Sequence, residues 1–374
     1  MDASSKIDLA DILIVGGGVV GAATAQTLAS RGLSILLVEA GPRFAEGVTS
    51  RNSGVVHGGL YYKPGSLKAK LCIKGNELLY AWCARHGVPF RKTGKLVLAK
   101  NAAEREELEA LLANARASGA EKCRLVTSGE LRELEPELEG VAALWSPETG
   151  IVDPAALTES LISSAVDQGA AALTNCRVTG LDVGKDGIVV HSSRGEVSAS
   201  MVVNAAGLYA DDVARMAGVE RYKIHPCRGD YFTLKTAIQY EHLIYPVKGK
   251  KDVGLGVHLT MDLAGKYRLG PDAEYVTSKE DFSPAEHKLE RFLEATGRLL
   301  GPVSRSQMSY DTCGIRPKLR SPSDAEEKDF VISKDLPGLI NLVGIDSPGL
   351  TAALAIGEYV REKFFGSTKS PRSE

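Results

Sequence analysis

The residues with the clearest chemical meaning are three glycines and one acidic residue near the start of the chain. The glycines follow the spacing Gly16-x-Gly18-x-x-Gly21, and Glu39 ends the next apolar run. Gly16 allows a tight turn, Gly18 lets a diphosphate approach the backbone, and Gly21 allows a helix to pack closely on a strand. A carboxylate at Glu39 can accept a hydrogen bond from a ribose hydroxyl and disfavours a 2'-phosphate. The pattern therefore predicts a dinucleotide site.

Two histidines lie in segments where they could accept a proton. His57 stands in the glycine-rich segment 54–59, where the backbone can approach a bound group closely. His258 lies in the alternating segment GLGVHLT, with Thr260 predicted on the same strand face. The unperturbed pKa of imidazole is near neutrality, so either ring could act as a base. A purely structural hydrogen-bonding role is the alternative for both.

Composition and cysteine spacing argue against several other kinds of site. The 45 basic and 47 acidic residues give a net charge of -2, and no basic run predicts nucleic-acid binding. The six cysteines are scattered, without a CxxC pair or a histidine at metal spacing. We therefore expect free thiols in a reducing compartment and no metal site.

The glycine motif is flanked by the elements that a dinucleotide-binding βαβ unit requires. Residues 11–15 and 33–39 are apolar runs with strand character, and residues 22–30 have apolar residues at helical spacing. Arg31-Gly32 ends the helix and Gly41-Pro42 ends the second strand. Strands that are apolar throughout predict a parallel sheet covered on both faces.

Later segments alternate between helix and strand patterns. Helices are predicted over 102–118, from Asp153-Pro154 onward, over 283–300 and over 351–365. Strands are predicted within 175–193, at 201–204 and within 228–269.

No segment predicts a membrane span. The most apolar N-terminal run, residues 12–25, is short and interrupted by glycines, whereas a spanning helix needs about 20 apolar residues. Residues 1–11 are acidic and do not resemble a targeting peptide. We expect a cytoplasmic protein, and a peripheral membrane contact through an exposed apolar patch remains open.

Six further stretches carry a pattern that belongs to one superfamily. They are SRNSGVVHGGLYY at 50–62, PGSLKA at 64–69, NAAG at 204–207, GLGVHLT at 254–260 followed by LGP at 269–271, GIRP at 314–317, and DSPGLT at 346–351. With the glycine motif, they resemble the flavin-dependent oxidoreductases of the D-amino-acid oxidase and glycine oxidase superfamily. Within it they are most similar to the L-2-hydroxyglutarate dehydrogenase family. The chain carries no second GxGxxG motif, which also favours FAD over a nicotinamide cofactor.

The resemblance implies an α/β fold, with a Rossmann-type FAD-binding domain and an inserted, mostly antiparallel α+β substrate domain. The FAD-binding domain is expected at 8–90, 145–225 and 305–366, and the substrate domain at 91–144 and 226–304. Residues 367–374 are expected to form a disordered tail.

The motifs also imply which residues contact FAD. The expected cofactor contacts are Gly16, Gly18, Val19, Val20, Gly21, Glu39, Ala40, Arg51, Asn52, Ser53, Val56, His57, Val178, Ala206, Gly207, Gly314, Arg316, Gly344, Ser347, Pro348, Gly349, Leu350 and Thr351.

Three residues are expected to carry the chemistry. Arg316 would bind the substrate carboxylate, because a guanidinium forms a bidentate fork with a carboxylate, although a structural ion pair is the alternative. His57 would act as a base, as a covalent flavin tether or as a structural residue. His258 would bind a second carboxylate or transfer a proton. The expected substrate contacts are Tyr61, Tyr231, His258, Thr260, Arg268 and Arg316.

The resulting expectation is FAD-dependent oxidation of a small 2-hydroxy acid, with L-2-hydroxyglutarate as the first candidate. An amino-acid oxidase of the glycine oxidase type, which would release peroxide, is one alternative. A non-catalytic flavin-binding protein is the other. Oxygen, a quinone or an electron-transfer protein could each accept the electrons.

Overall fold

The structure is a computed structural model that describes residues 9–249 and 254–366. The strands are β1 (Leu9–Val15), β2 (Ile35–Val38), β3 (Val55–Val56), β4 (Phe90–Arg91), β5 (Lys95–Ala99), β6 (Arg124–Thr127), β7 (Ala142–Ser146), β8 (Gly150–Val152), β9 (Ala171–Leu173), β10 (Val178–Val183), β11 (Ile188–Ser192), β12 (Gly195–Asn204), β13 (His225–Leu234), β14 (Leu243–Pro246), β15 (Leu259–Met261), β16 (Tyr267–Leu269), β17 (Glu274–Tyr275), β18 (Met308–Lys318), β19 (Val331–Leu336) and β20 (Leu339–Val343). The helices are α1 (Val19–Ala29), α2 (Leu67–His86), α3 (Ala102–Ala117), α4 (Ser128–Leu134), α5 (Pro154–Asp167), α6 (Ala210–Met216), α7 (Leu289–Leu300) and α8 (Gly349–Phe365). The tail predicted at 367–374 lies outside the described residues.

Contacts divide the chain into two units. Unit 1 takes the chain up to Thr49, the segment Pro154–Ile224 and the chain from Phe330 onward, whereas unit 2 takes Ser50–Asp153 and His225–Asp329. Unit 2 therefore consists of two insertions into the sequence of unit 1.

Unit 1 is built on a sheet in which β2, β1, β12 and β20 run parallel. The strands β10, β11 and β19 add antiparallel pairs. Residues 12–15 of β1 are buried and β2 is buried except for one half-buried residue, as the apolar runs predict, and β20 is buried throughout. Helix α1 packs against α5 and α8, and small residues allow the approach: a Cβ on Gly357 would lie 2.8 Å from the carbonyl oxygen of Ala23.

Unit 2 is built on a mostly antiparallel sheet in the order β17-β13-β16-β15-β14-β5-β7-β6, with β18 also paired to β13. Only the β14–β5 pair in this path is parallel. The strands β3, β8 and β4 form a second, small sheet. One apolar cluster, which includes Leu96, Phe232, Tyr245 and Phe292, fills the core of this unit. The predicted fold class is therefore confirmed in both of its parts.

The contact-based units differ from the predicted domain limits. The segments 50–90, 145–153 and 305–329 were expected in the FAD-binding domain, whereas their contacts lie in unit 2. The physical reason is strand pairing: β3 and β8 pair with each other, and β18 pairs along its whole length with β13. Assignment of these segments by what they bind stays a prediction.

Most predicted elements are present, with three differences. The helix predicted over 283–300 begins only at Leu289, after a 3-10 turn, because Asp281 accepts hydrogen bonds from Ser283 and so forms a turn there. The strand predicted through His258 begins one residue later, at Leu259. Helix α2, which has 20 residues, is not among the predicted helices.

The helices and cysteines give two further facts. Among the described residues, no helix combines the length and the apolar character needed to cross a membrane. All six cysteines are buried and form no disulfide.

Candidate active site

The glycine turn in unit 1 has the backbone geometry that its sequence predicts. Gly16 has a φ of +109°, a left-handed conformation that favours glycine, and a Cβ there would lie 2.5 Å from the carbonyl oxygen of Ala205. A Cβ on Gly21 would overlap the carbonyl oxygen of Gly16. Gly18 is the N-cap of α1, whose first turn carries no acidic residue. The positive end of the helix dipole is therefore not neutralised from within the helix, which suits a diphosphate.

Glu39 has a defined position beside this turn. Its two carboxylate oxygens accept hydrogen bonds from the backbone nitrogens of Gly17 and Gly41, each at 2.8 Å. Each oxygen keeps a further lone pair for a ribose hydroxyl. Together, the turn and the acid fit the adenosine diphosphate half of FAD.

Enlarging Gly21 should therefore disturb both the fold and the cofactor site. We expect Gly21→Ala to destabilise the protein by about 1–3 kcal/mol or more, because a methyl group has no room against the Gly16 carbonyl, and to lower the bound flavin per chain. Gly297→Ala is the matched control, since a Cβ on that helical glycine meets nothing within 4 Å. Urea unfolding and the ratio of flavin to protein absorbance measure both effects. A Gly21→Ala protein with normal stability and flavin content would contradict this role.

The other predicted cofactor residues of unit 1 are distributed over several of its elements. Ala206 lies beside Gly16, at 3.1 Å from a Cβ placed there, and its nitrogen donates to Asn204. Gly344 follows β20 with a φ of +70°, and Gly349 is the first residue of α8. The remaining predicted residues of this unit lie as follows: Val19 and Val20 in the first turn of α1, Ala40 after β2, Val178 at the start of β10, Gly207 after β12, and Ser347, Pro348, Leu350 and Thr351 around the start of α8.

The predicted cofactor residues 51–53 and Gly314 lie in unit 2 and approach one another. A Cβ on Gly314 would overlap the carbonyl oxygen of Arg51, so only glycine fits there. Asn52 accepts a hydrogen bond from the nitrogen of Gly54 at 2.7 Å, which shapes the loop. Val56 lies in β3, where it pairs with Gly150. These residues form a close backbone crossing, and their contact with FAD stays a prediction.

Arg316 is held by backbone oxygen atoms and has no carboxylate partner among the described residues. Its Nη2 atom donates to the carbonyl oxygen of Asp272 at 2.5 Å and to that of Arg228 at 3.4 Å. Asp272 is fixed in turn, because its carboxylate accepts from the nitrogen of Asp230 at 2.8 Å and pairs with Lys288 at 3.1 Å. The guanidinium is thus oriented without being neutralised, as a carboxylate anchor requires.

His258 is present in one defined neutral tautomer. Its Nδ1 atom lies 2.8 Å from the carbonyl oxygen of Gly256, and a carbonyl can only accept, so Nδ1 carries the proton. In the neutral ring, Nε2 is then a proton acceptor. The ring is 4% exposed and stacks on Tyr245 at a centroid distance of 3.8 Å.

His57 is positioned through its backbone by α2. The carbonyl oxygen of His57 accepts hydrogen bonds from Asn76 at 3.0 Å and from the Cys72 thiol at 3.5 Å. Burial, together with the smaller effects of the nearby Lys95 and His258, lowers the pKa of His57 from 6.5 to about 3. Burial likewise lowers the pKa of His258 to about 3, with Lys95 and Arg316 acting in the same direction. Both rings are therefore neutral at pH 7.

These low pKa values predict loss of stability in acid. Below pH 6.5 the unfolded chain protonates both histidines while the folded protein leaves them neutral, so stability present above pH 6.5 is lost towards pH 3. Each histidine should contribute a slope of about 1.4 kcal/mol per pH unit. We expect His258→Asn to reduce the slope of unfolding free energy, measured in urea between pH 6 and pH 4, by about that amount.

His191 provides the matched control for this experiment. It is paired with Asp182 at 2.7 Å, which raises its pKa, so the ring is protonated in both the folded and unfolded states below pH 6. His191→Asn should leave the slope in this window unchanged. An equal slope in the wild type and His258→Asn would show that His258 is not held neutral.

The remaining predicted substrate residues differ in whether their polar groups already have a hydrogen-bond or ion-pair partner. Tyr61 has a buried hydroxyl without a hydrogen-bond partner among the described residues, whereas Tyr231 is buried and hydrogen-bonded to Ser53. Thr260 is fully buried and its hydroxyl lies 3.4 Å from the carbonyl oxygen of Arg268. Arg268 pairs with Asp311 at 2.8 Å, so it is already neutralised. Substrate contact by these four residues stays a prediction, and Tyr61 is the one with an unused polar group.

Two residues that contact His258 or Tyr61 were not among the predicted site residues. Tyr245 lies on β14 beneath the ring of His258. Lys95 begins β5, is only 1% exposed, and places its Nζ atom 4.7 Å from the ring centre of Tyr61 and 4.6 Å from that of Tyr245. A lysine beside a glycine has no sequence feature that indicates burial, so only the structure could identify it.

Comparison with known proteins identifies the family of this chain. The family model described as FAD dependent oxidoreductase (DAO) matches residues 11–363. A mitochondrial L-2-hydroxyglutarate dehydrogenase of Arabidopsis thaliana is 35% identical over 95% of this chain and 83% of its own length. The L-2-hydroxyglutarate dehydrogenase of Indibacter alkaliphilus is 32% identical over 94% of this chain and 98% of its own.

Solved structures show the same fold. The FAD-bound, dithionite-reduced L-alpha-glycerophosphate oxidase of Mycoplasma pneumoniae has a TM-score of 0.88 and 27% identity, and the match covers 98% of this chain and 97% of that one. Glycine oxidase from Geobacillus kaustophilus has a TM-score of 0.80 at 21% identity, with the same coverage of 98% and 97%.

Proposed function

Because the chain belongs to the DAO family of FAD-dependent oxidoreductases, we propose that it oxidises the 2-hydroxy acid L-2-hydroxyglutarate to its 2-oxo acid. The protein is an enzyme and its cofactor is FAD. Both relatives described above are named L-2-hydroxyglutarate dehydrogenases, which supports this substrate. The observation that supports this reaction class is the arginine Arg316, held only by backbone carbonyls among the described residues, within electrostatic range of the neutral imidazole of His258.

Arg316 fixes the carboxylate that adjoins the reacting carbon. Its guanidinium is already oriented by two backbone carbonyls, so little conformational entropy is lost when a carboxylate binds. A bidentate pair also fixes the plane of the acid and hence the direction of the C2–H bond.

His258 would take the hydroxyl proton at Nε2, and bound FAD would supply the acceptor for the hydride from C2. The hydroxyl oxygen keeps the bonding electrons and becomes the oxo group, so one proton and one hydride leave the substrate. In the free enzyme, burial lowers the pKa of His258 most, and the cations of Lys95 and Arg316 lower it as well. A bound substrate anion offsets those two charges, which makes the imidazole a stronger base, while burial keeps the ring neutral at and above pH 7.

The decisive experiment is anaerobic bleaching of the bound flavin by a panel of acids. We expect L-2-hydroxyglutarate to bleach the visible flavin band rapidly and glycine or D-amino acids to leave it unchanged. Bleaching by an amino acid alone would move the enzyme to the amino-acid oxidase alternative. A fully loaded flavin that no acid bleaches would favour a non-catalytic protein. Acid precipitation of the same sample tests the tether, because a covalent flavin stays with the pellet.

We also propose an acceptor other than oxygen and a cytoplasmic location. The name dehydrogenase, which both relatives carry, supports the first proposal, and six free buried cysteines support the second. A quinone or an electron-transfer protein then takes the electrons. Oxygen consumption compared with dye reduction tests the acceptor, and cell fractionation tests the location.

A further inference from the structure

Lys95 differs from the other buried cations of unit 2. Arg228 pairs with Asp230 at 2.7 Å, Lys288 pairs with the same carboxylate at 2.6 Å, and Lys318 pairs with Glu327 at 3.1 Å. Lys95 is the more deeply buried side chain, yet it has no hydrogen-bond or ion-pair partner among the described residues. A buried ammonium without a counterion costs free energy, and proteins retain such groups mainly at functional sites.

Lys95 lies on an interior strand of the sheet, and its side chain is buried. Strand β5 lies between β14 and β7, where Lys95 is in register with Leu243 on one side and Ser146 on the other. Two tyrosine rings flank the ammonium, which stabilises the cation by about 1 kcal/mol or more without neutralising it.

The surroundings of Lys95 are uncharged or positive. The groups that influence it or that it influences are His57, His258, Cys72 and Cys123, and the flanking rings belong to Tyr61 and Tyr245. No carboxylate is among them. The buried hydroxyl of Tyr61 adds an unused donor to the same neighbourhood. An anion with hydrogen-bond acceptors would therefore satisfy both the charge and the hydroxyl.

We propose that Lys95 binds the distal carboxylate of a dicarboxylic 2-hydroxy acid, while Arg316 binds the carboxylate next to the reacting carbon. The proposal rests on the proposed function and deepens it, because two cations that have no counterion among the described residues match the two carboxylates of the substrate. It makes Lys95 the residue that selects dicarboxylic over monocarboxylic acids, by leaving a buried charge unpaired when a monocarboxylate binds.

Ligand binding should then depend on pH through Lys95. Burial lowers the pKa of Lys95 to about 7, so the free enzyme loses this charge as the pH rises through neutrality. Between pH 7 and 9 the other groups nearby do not change charge: the pKa values of the two histidines are about 3, burial raises those of Tyr61, Tyr245, Cys72 and Cys123, and Arg316 is always charged. A bound carboxylate must therefore bring one proton back to Lys95 above pH 7.

The test uses FAD-loaded protein and glutarate, a dicarboxylate that cannot be oxidised at C2, with butyrate as the monocarboxylate. Both are titrated by calorimetry and by perturbation of the flavin spectrum. We expect Lys95→Met to lower the affinity for glutarate relative to that for butyrate by about 10²–10³-fold. In the wild type, the Kd of glutarate should rise about tenfold per pH unit above pH 7, with uptake of about one proton at pH 8.5 in buffers of different ionisation enthalpy. In Lys95→Met, the Kd of glutarate should no longer depend on pH in this range, and glutarate should bind without proton uptake.

Lys92 provides the matched control. It lies on the same segment, is exposed, and pairs with Glu148 at 2.9 Å, so Lys92→Met should bind glutarate as the wild type does. Methionine at position 95 removes an unpaired buried charge and keeps the volume, so this variant should fold and retain flavin. The proton uptake of the wild type tests the proposal without any variant.

The outcomes separate this proposal from the proposed function. If L-2-hydroxyglutarate bleaches the flavin but glutarate binds without proton uptake, or Lys95→Met retains the preference for glutarate, then Lys95 does not bind the distal carboxylate. If glutarate does not bind to the wild type and no 2-hydroxy acid bleaches its flavin, then the proposed function itself is wrong, and with it the role of Lys95.

Discussion

Replacement of Arg316 by methionine is expected to lower kcat/KM for L-2-hydroxyglutarate by about 10³–10⁴-fold, the largest effect of any single substitution considered for this enzyme. The guanidinium has no carboxylate partner among the described residues of the free protein, so its removal breaks no internal ion pair. The loss should therefore fall on substrate binding and orientation and leave folding intact. Steady-state kinetics with an artificial electron acceptor measures it.

Two further arginine variants make this result interpretable. Arg316→Lys keeps the charge but loses the fork, so we expect it to recover only part of the lost rate. Arg298 is exposed on α7 and close to Glu294, and Arg298→Met should retain wild-type kinetics. Near-normal kcat/KM in Arg316→Met would show that another residue binds the carboxylate. Arg268 is the next candidate, and it would have to break its ion pair with Asp311 to do so.

Replacement of His258 by alanine is expected to lower kcat by about 10²–10⁴-fold, with a smaller change in KM. The reason is the tautomer: the Gly256 carbonyl holds the proton on Nδ1, which leaves Nε2 to accept the hydroxyl proton. Rapid-reaction measurement of flavin reduction at several pH values isolates this step from reoxidation. In the variant, the reduction rate should increase with hydroxide concentration, because solvent must replace the base.

His57 is the internal comparison for this prediction. His57→Ala should slow flavin reduction less than His258→Ala if His258 is the base, and the order reverses if His57 is. Unchanged reduction rates in both variants would show that no histidine base operates, as expected for an amino-acid oxidase whose substrate amine arrives neutral. Both variants need a flavin-content measurement, since His57 lies in the predicted cofactor loop.

The glycine motif, Glu39 and the βαβ unit were predictable because their geometry is local. The left-handed turn at Gly16 and the contact of Gly21, in the first turn of α1, with the Gly16 carbonyl both lie within residues 16–21. The resemblance of later motifs then extended this to the family, which is confirmed. Arg316 and the two histidines were also proposed from sequence, although their catalytic roles stay predictions.

The domain limits were less predictable because strand pairing is not local. Segment 305–329 contains a family motif expected in the FAD-binding domain, yet β18 pairs with β13, which lies about eighty residues earlier in the chain. Helix α2 was missed although it supports the loop of His57 through Asn76 and Cys72.

The sequence by itself determined that this chain forms a dinucleotide turn, belongs with the FAD-dependent oxidoreductases and has an arginine suited to a carboxylate. Only the tertiary structure decided which cations have no counterion within residues 9–249 and 254–366, and which nitrogen of His258 carries the proton. Lys95 looks like a surface lysine in the sequence, but strands from distant parts of the chain bury it between two tyrosines. Burial, pairing and tautomer depend on neighbours that are far apart in sequence, and residue type and spacing alone do not specify them.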